Sequence, residues 1–186
     1  MEPILTLPYS EWLVAEHFMN ALSTREGYSV YAPLSRQERG VDLILTRRVN
    51  GITKAATLQI KYGRVFEKKE PTRPFKFEAL FKCFQPQDAD FFVLVTLYPN
   101  VTGRGGGSRK SWWLPLLLLF TRKEMDQFIA SLRKSSGEVE KHMFYFAFDT
   151  SENVVLTRGG AGKTPDFTKF TFHSRLPMLR EFLSRS

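Results

Sequence analysis

Residues 41–62 read VDLILTRRVNGITKAATLQIKY, and the reading of this stretch decides the fold. Two runs rich in β-branched and aliphatic residues, Val41 to Val49 and Ile52 to Tyr62, flank Asn50-Gly51. Both central positions of a two-residue type I′ turn need positive φ, which Asn and Gly adopt at least cost, so the stretch predicts a tight hairpin. Without a bulge, paired residues sum to 101, which sets Asp42 directly opposite Gln59. Lys61 lies two residues beyond Gln59 and therefore projects to the same face, with Gly40 as its cross-strand partner. A carboxylate, an amide oxygen and a lysine are thus expected at one end of one hairpin.

Upstream, Ser10 reads as an N-cap and Glu11 to Arg25 as a helix whose Val14, Phe18, Ala21 and Leu22 share a buried face. Glu16 falls at the edge of that face beside Trp12 and Met19. Gly27 ends the helix, and Tyr28 to Ala32 reads as a strand running into the loop at Pro33. Downstream, residues 63–76 are polar, basic and broken by proline, which predicts a loop, and Phe77 to Phe84 reads as a helix. Phe91 to Tyr98 is apolar almost throughout, the mark of a strand covered on both faces. Trp112 to Phe120 reads as a neighbouring strand, with Gly103 to Ser108 as the loop before it. Thr121 with Glu124 forms a capping box, so a helix should run from there to about Leu132. Met143 to Phe148 and Val154 to Thr157 read as strands, and Leu176 to Leu183 as a closing helix. The expected architecture is a mixed α/β sandwich in one domain spanning residues 1–186.

The chain of 186 residues carries 27 Lys and Arg against 19 Asp and Glu, a net charge of +8. With 42% apolar residues and 14% aromatics, a disordered basic tail is excluded. A folded basic domain predicts a polyanionic partner. The charge is local, because residues 36–76 contain eleven basic and four acidic side chains, surrounding the hairpin. One cysteine, Cys83, cannot form an internal disulfide, and His17, His142 and His173 are too scattered for a structural zinc site. The sequence shows neither a signal-peptide pattern nor an apolar run of spanning length, so a cytoplasmic, soluble protein is expected. The basic residues do not line one helical face, which argues against a membrane surface as partner.

Phosphodiester hydrolysis gives three polar groups on one sheet face a purpose. A hard divalent cation takes oxygen ligands such as Asp42 and the Gln59 amide, and a nearby lysine can orient the attacking water or offset charge on the phosphate. The pattern Glu16, Asp42, Gln59-x-Lys61 resembles the PD-(D/E)XK nuclease superfamily, in the glutamine variant similar to Mrr-type restriction endonucleases. The helix with its glutamate, the Gly27-Tyr28 strand and Ala32-Pro-Leu-Ser35 also resemble archaeal Holliday-junction resolvases. The resemblance covers residues 10–62 and implies a restriction-endonuclease-like core, a central mixed sheet flanked by helices. It further implies Mg²⁺, with Mn²⁺ as a substitute, held by Asp42, Gln59, the Ile60 carbonyl and Glu16, with Lys61 as the catalytic lysine. Ser35, Arg36, Arg39, Arg64, Lys68, Lys69, Arg73 and Lys76 are expected to bind the backbone of double-stranded or branched DNA. A homodimer is expected where both strands are cut.

Two features depart from the family pattern: Val41 stands where its name has proline, and neutral Gln59 leaves two carboxylates instead of three. The alternatives are therefore a non-catalytic nucleic-acid-binding or assembly module on the same fold, and an RNA-directed nuclease. The run Thr157-Arg-Gly-Gly-Ala-Gly-Lys-Thr164 ends like a phosphate loop, but its first glycine is Thr157 and Pro165 follows, so a basic surface loop is expected.

Overall fold

A computed structural model describes residues 9–33, 40–67, 75–86, 88–100, 113–134, 143–158 and 165–184. In chain order these form α1 (Tyr9–Ala21), β1 (Tyr28–Tyr31), β2 (Leu43–Val49), β3 (Ile52–Glu67), β4 (Phe77–Lys82) and β5 (Phe91–Pro99). Then follow β6 (Trp113–Thr121), α2 (Arg122–Lys134), β7 (Met143–Phe148), β8 (Val154–Arg158) and α3 (Phe172–Phe182). The architecture is mixed α/β with a mostly antiparallel sheet system. No described helix is long and apolar enough to cross a membrane.

Asn50 and Gly51 both adopt positive φ, 52° and 80°, and the β2–β3 ladder runs from Val49 opposite Ile52 to Leu43 opposite Leu58. The register is the one the turn predicts. Asp42 nevertheless does not take its expected place opposite Gln59, because the ladder stops one residue short of it, at Leu43 opposite Leu58.

β3 is the spine of the molecule and belongs to two sheets. Its first part lies between β2 and β5, in the order β1-β2-β3-β5-β6, with β5 parallel to β3 and every other pairing antiparallel. Its last part, Arg64 to Glu67, pairs with β4, which continues to β7 and β8. Gly63 stands where the strand passes from one sheet to the other. A Cβ there would lie 2.6 Å from the Phe81 ring, so only glycine lets that ring lie across the strand. The Gly63 carbonyl accepts the buried Thr96 hydroxyl at 3.0 Å, which keeps this point of the spine satisfied.

The strand period of two sorts side chains between two cores. Leu43, Leu45, Leu58, Ile60, Val93 and Leu119 face α1 and α3, meeting Val14, Phe18 and Leu179. Phe92, Leu94, Leu118 and Phe120 face the other way, toward α2 and the aromatic face of the second sheet, which contributes Phe77, Phe81, Phe144 and Phe146. Covered on both sides, β5 is apolar through its first five residues, and the polar Thr96 that follows is satisfied by the Gly63 carbonyl. Its six residues from Phe91 to Thr96 are all buried.

Several boundaries differ from expectation. Phe77 to Phe84 is not a helix, because Phe77, Ala79 and Phe81 alternate inward while Lys82 points out, and β3 and β7 offer hydrogen-bonding edges on either side. The expected loop at 63–76 begins later, since β3 continues to Glu67. Ser10 lies inside α1 instead of capping it, and α1 stops at Ala21. A separate 3-10 turn, Thr24–Glu26, follows, capped by Ser23 and closed by Gly27 at φ 85°. Gly27 also packs under the Arg48 carbonyl, where a Cβ would lie 2.1 Å from the oxygen. The capping box forms as read: Thr121 N–H donates to Glu124 Oε2 at 2.9 Å and Glu124 N–H to Thr121 Oγ1 at 3.3 Å. The closing helix starts earlier than expected, at Phe172. The glycine-rich segments 103–108 and 159–164 lie outside the described residues.

Candidate active site

The candidate site lies where β2 ends against the middle of β3. Beyond Leu43 the chain leaves the ladder, with Gly40 at φ 95°. Asp42 N–H still donates to the Leu58 carbonyl at 2.8 Å. Its side chain then turns to the main chain, and Oδ2 accepts the Ile60 N–H at 2.6 Å. The physical cause is the end of the ladder. Without a β2 residue opposite it, the Ile60 amide needs an acceptor, and a carboxylate is the strongest one available. Asp42 is therefore not a cross-strand partner of Gln59; it is bound to the peptide N–H between Gln59 and Lys61.

Asp90 does the same on the β5 side, a role that escaped the reading of the sequence. Its Oδ2 accepts both the Thr57 N–H, at 2.8 Å, and the Thr57 hydroxyl, at 2.9 Å. Two aspartates thus clasp β3 from opposite edges, three residues apart. The available signal was the position of Asp90 immediately before the apolar run of β5.

Gln59 and Lys61 share a face, as their spacing predicts, alongside Phe92 and Leu94 of β5. That face is the interior between the first sheet and the layer of α2 and β4, so Gln59 is only 2% exposed. Lys61 is half-buried, and its ammonium lies 5.3 Å from the centroid of the Phe84 ring. Phe84 in turn stacks on Phe92 at 6.2 Å. A cation–π contact of this kind holds the lysine head beside the sheet.

Glu16 is exposed on α1. That helix packs on the face carrying Leu58 and Ile60, opposite the one to which Gln59 and Lys61 project. Among the described residues no three His, Cys, Asp or Glu side chains come close enough to form a metal-binding cluster. The oxygens at the β2–β3 junction are thus those of one carboxylate, Asp42, one amide, Gln59, and the Ile60 carbonyl. All are hard donors of the kind a divalent magnesium-like cation takes. An ionised carboxylate that accepts one N–H keeps lone pairs for a second partner.

Of the expected DNA-contacting residues, Ser35, Arg36, Arg39, Lys68, Lys69 and Arg73 lie outside the described residues. Arg64 is exposed on the last part of β3. Lys76 pairs with Glu67 at 3.4 Å and lies 5.8 Å from the Phe77 ring. Away from the site, Glu124 joins α2 to α3 through Arg175. Burial pushes its carboxyl up, but hydrogen bonds from Thr121 and the Arg175 guanidinium outweigh this and hold it below the ordinary carboxylate range.

Comparison of the chain with family models, with characterised proteins and with solved structures finds no match in any of the three.

Proposed function

We propose that this chain is a Mg²⁺-dependent endodeoxyribonuclease with a restriction-endonuclease-like core, Mn²⁺ serving as an alternative ion. The observation that carries this reading is the 2.6 Å bond from the Ile60 N–H to Asp42, which holds a carboxylate at the peptide between Gln59 and Lys61. A mixed sheet with helices on both faces and a net charge of +8 fit the same reading.

Asp42, the Gln59 amide and the Ile60 carbonyl would hold the cation, which supplies a polarised phosphate and a more acidic water. Water attacks the scissile phosphorus in line, and the P–O bond to the leaving group breaks. Lys61 orients the water or offsets the charge that builds on the phosphate oxygens. The substrate is double-stranded or branched DNA, and a homodimer would deliver the second cut. The test is cleavage of supercoiled plasmid in Mg²⁺ and in Mn²⁺ by wild type, Asp42→Ala, Lys61→Ala and Glu16→Ala. Loss of activity in the Asp42 and Lys61 variants is expected, and equal activity in both would overturn the assignment. The Glu16 variant reports whether the helix glutamate takes part.

A second reading, a nucleic-acid-binding module without catalysis, is favoured by the position of α1 and the burial of Gln59. Plasmid binding with no cleavage under either ion would select it. An RNA-directed nuclease would instead be exposed by competition between RNA and DNA substrates.

A further inference from the structure

From Tyr62 onward, the sheet face that α1 and α3 cover farther back carries exposed aromatics instead of a core. The strand period puts Tyr62, Arg64 and Phe66 of β3 on that face, together with Leu97 of β5 and Trp113 of β6. With Tyr9 at the start of α1 they line an open cleft of 490 Å³. Tyr9, Tyr62, Phe66 and Trp113 are each half-exposed or more, 63%, 54%, 50% and 54% respectively. Large rings left in water on a packed sheet cost free energy unless something covers them part of the time. The one charged side chain among the described lining residues is Arg64, and none is acidic.

We propose that this cleft binds single-stranded DNA by stacking unpaired bases on Tyr62, Phe66 and Trp113, with Arg64 on the phosphate or over a base. The choice of DNA as polymer rests on the nuclease reading; the stacking itself rests on the cleft. Flat aromatic faces with a guanidinium and no carboxylate match the combination of π-surface and negative charge that a nucleotide presents. A duplex buries its base faces within the stack, so an aromatic platform selects strands that are already open. Arg64 follows Lys61 by three residues, about 10 Å along the strand. An odd spacing along a strand puts Arg64 on the opposite face from Lys61, so the cleft is a binding surface separate from the candidate site.

The test is fluorescence anisotropy of a labelled oligothymidylate in EDTA, beside an abasic deoxyribose-phosphate strand of equal length and charge. Wild type should bind the oligothymidylate at least about tenfold more tightly than the abasic strand, given 1–3 kcal/mol per stacked base. Tyr62→Ala and Phe66→Ala should each remove most of that difference. Arg64→Ala should weaken both strands, and Ile52→Ala, exposed at the distant hairpin tip, should leave both unchanged. Equal binding of the two strands by wild type, no binding of either, or full retention by the aromatic variants would overturn the proposal. EDTA keeps cleavage out of the readout. Failure of the nuclease reading appears as indifference of plasmid cleavage to Asp42→Ala, whereas failure of the cleft leaves that loss of cleavage intact.

Discussion

The Asp42 carboxylate accepts the Ile60 main-chain N–H at 2.6 Å, so one side chain both ends the β2–β3 ladder and stands beside the Gln59-x-Lys61 sequence. A structural and a chemical role for Asp42 are therefore coupled, and they can be separated by choice of substitution. Asp42→Asn keeps an oxygen for the Ile60 N–H but loses the charge that a cation needs. It should melt close to wild type and fail to cleave. Asp42→Ala removes the acceptor as well and should lose about 1–3 kcal/mol in urea denaturation. If the two variants unfold alike, the bond to Ile60 contributes nothing to stability.

Lys61 allows a similar separation, because its stem and its charge do different things beside Phe84. Lys61→Met keeps an unbranched apolar side chain against the ring and removes the ammonium. Its unfolding midpoint should stay within about 0.5 kcal/mol of wild type while plasmid cleavage is lost. Cleavage at the wild-type rate by the methionine variant would remove Lys61 from the reaction.

Gly63 should tolerate no side chain while Phe81 keeps its place. A Cβ at 2.6 Å from the ring forces the buried ring or the strand to shift, and Gly63→Ala is expected to cost about 1–3 kcal/mol. Adding Phe81→Leu should recover part of that loss. A double-mutant cycle in denaturant measures the recovery as a coupling energy, and simple additivity of the two losses would show that the ring is not the obstacle.

The Glu124 carboxyl is held below the ordinary range in the folded chain, so its contribution has a definite sign with pH. The unfolded chain takes up the proton first as the pH falls. Stabilisation is therefore complete above the ordinary carboxylate range and is lost as the pH drops through the folded value. Glu124→Gln should be less stable than wild type at neutral pH, and the gap should close in acid. A gap that stays constant between neutral pH and strong acid in thermal melts would contradict the assignment.

Much of this architecture is legible along the chain, for reasons that are local. Asn50-Gly51 settles its turn through the φ values it permits, the turn settles the register, and the register puts Gln59 and Lys61 on one face. Thr121 and Glu124 cap a helix because their partners are three residues apart. Phe77 to Lys82 could not be read this way, since a six-residue run with a helical propensity of its own becomes a strand only when β3 and β7 offer it edges. Nor does the sequence say that β3 runs on past Gly63 into a second sheet, because that part of the strand needs β4 as its edge, with Arg64 opposite Leu80.

The candidate site divides along the same line. By itself, the sequence determined which groups share the hairpin end and the charge around them, both matters of spacing and composition. Only the tertiary structure decided that Asp42 turns to the Ile60 amide, that Gln59 is buried under the second layer, and that α1 carries Glu16 on the opposite face. Each of these depends on where a ladder ends or which layer covers a face. Such facts arise from the packing of distant segments, and no local pattern encodes them.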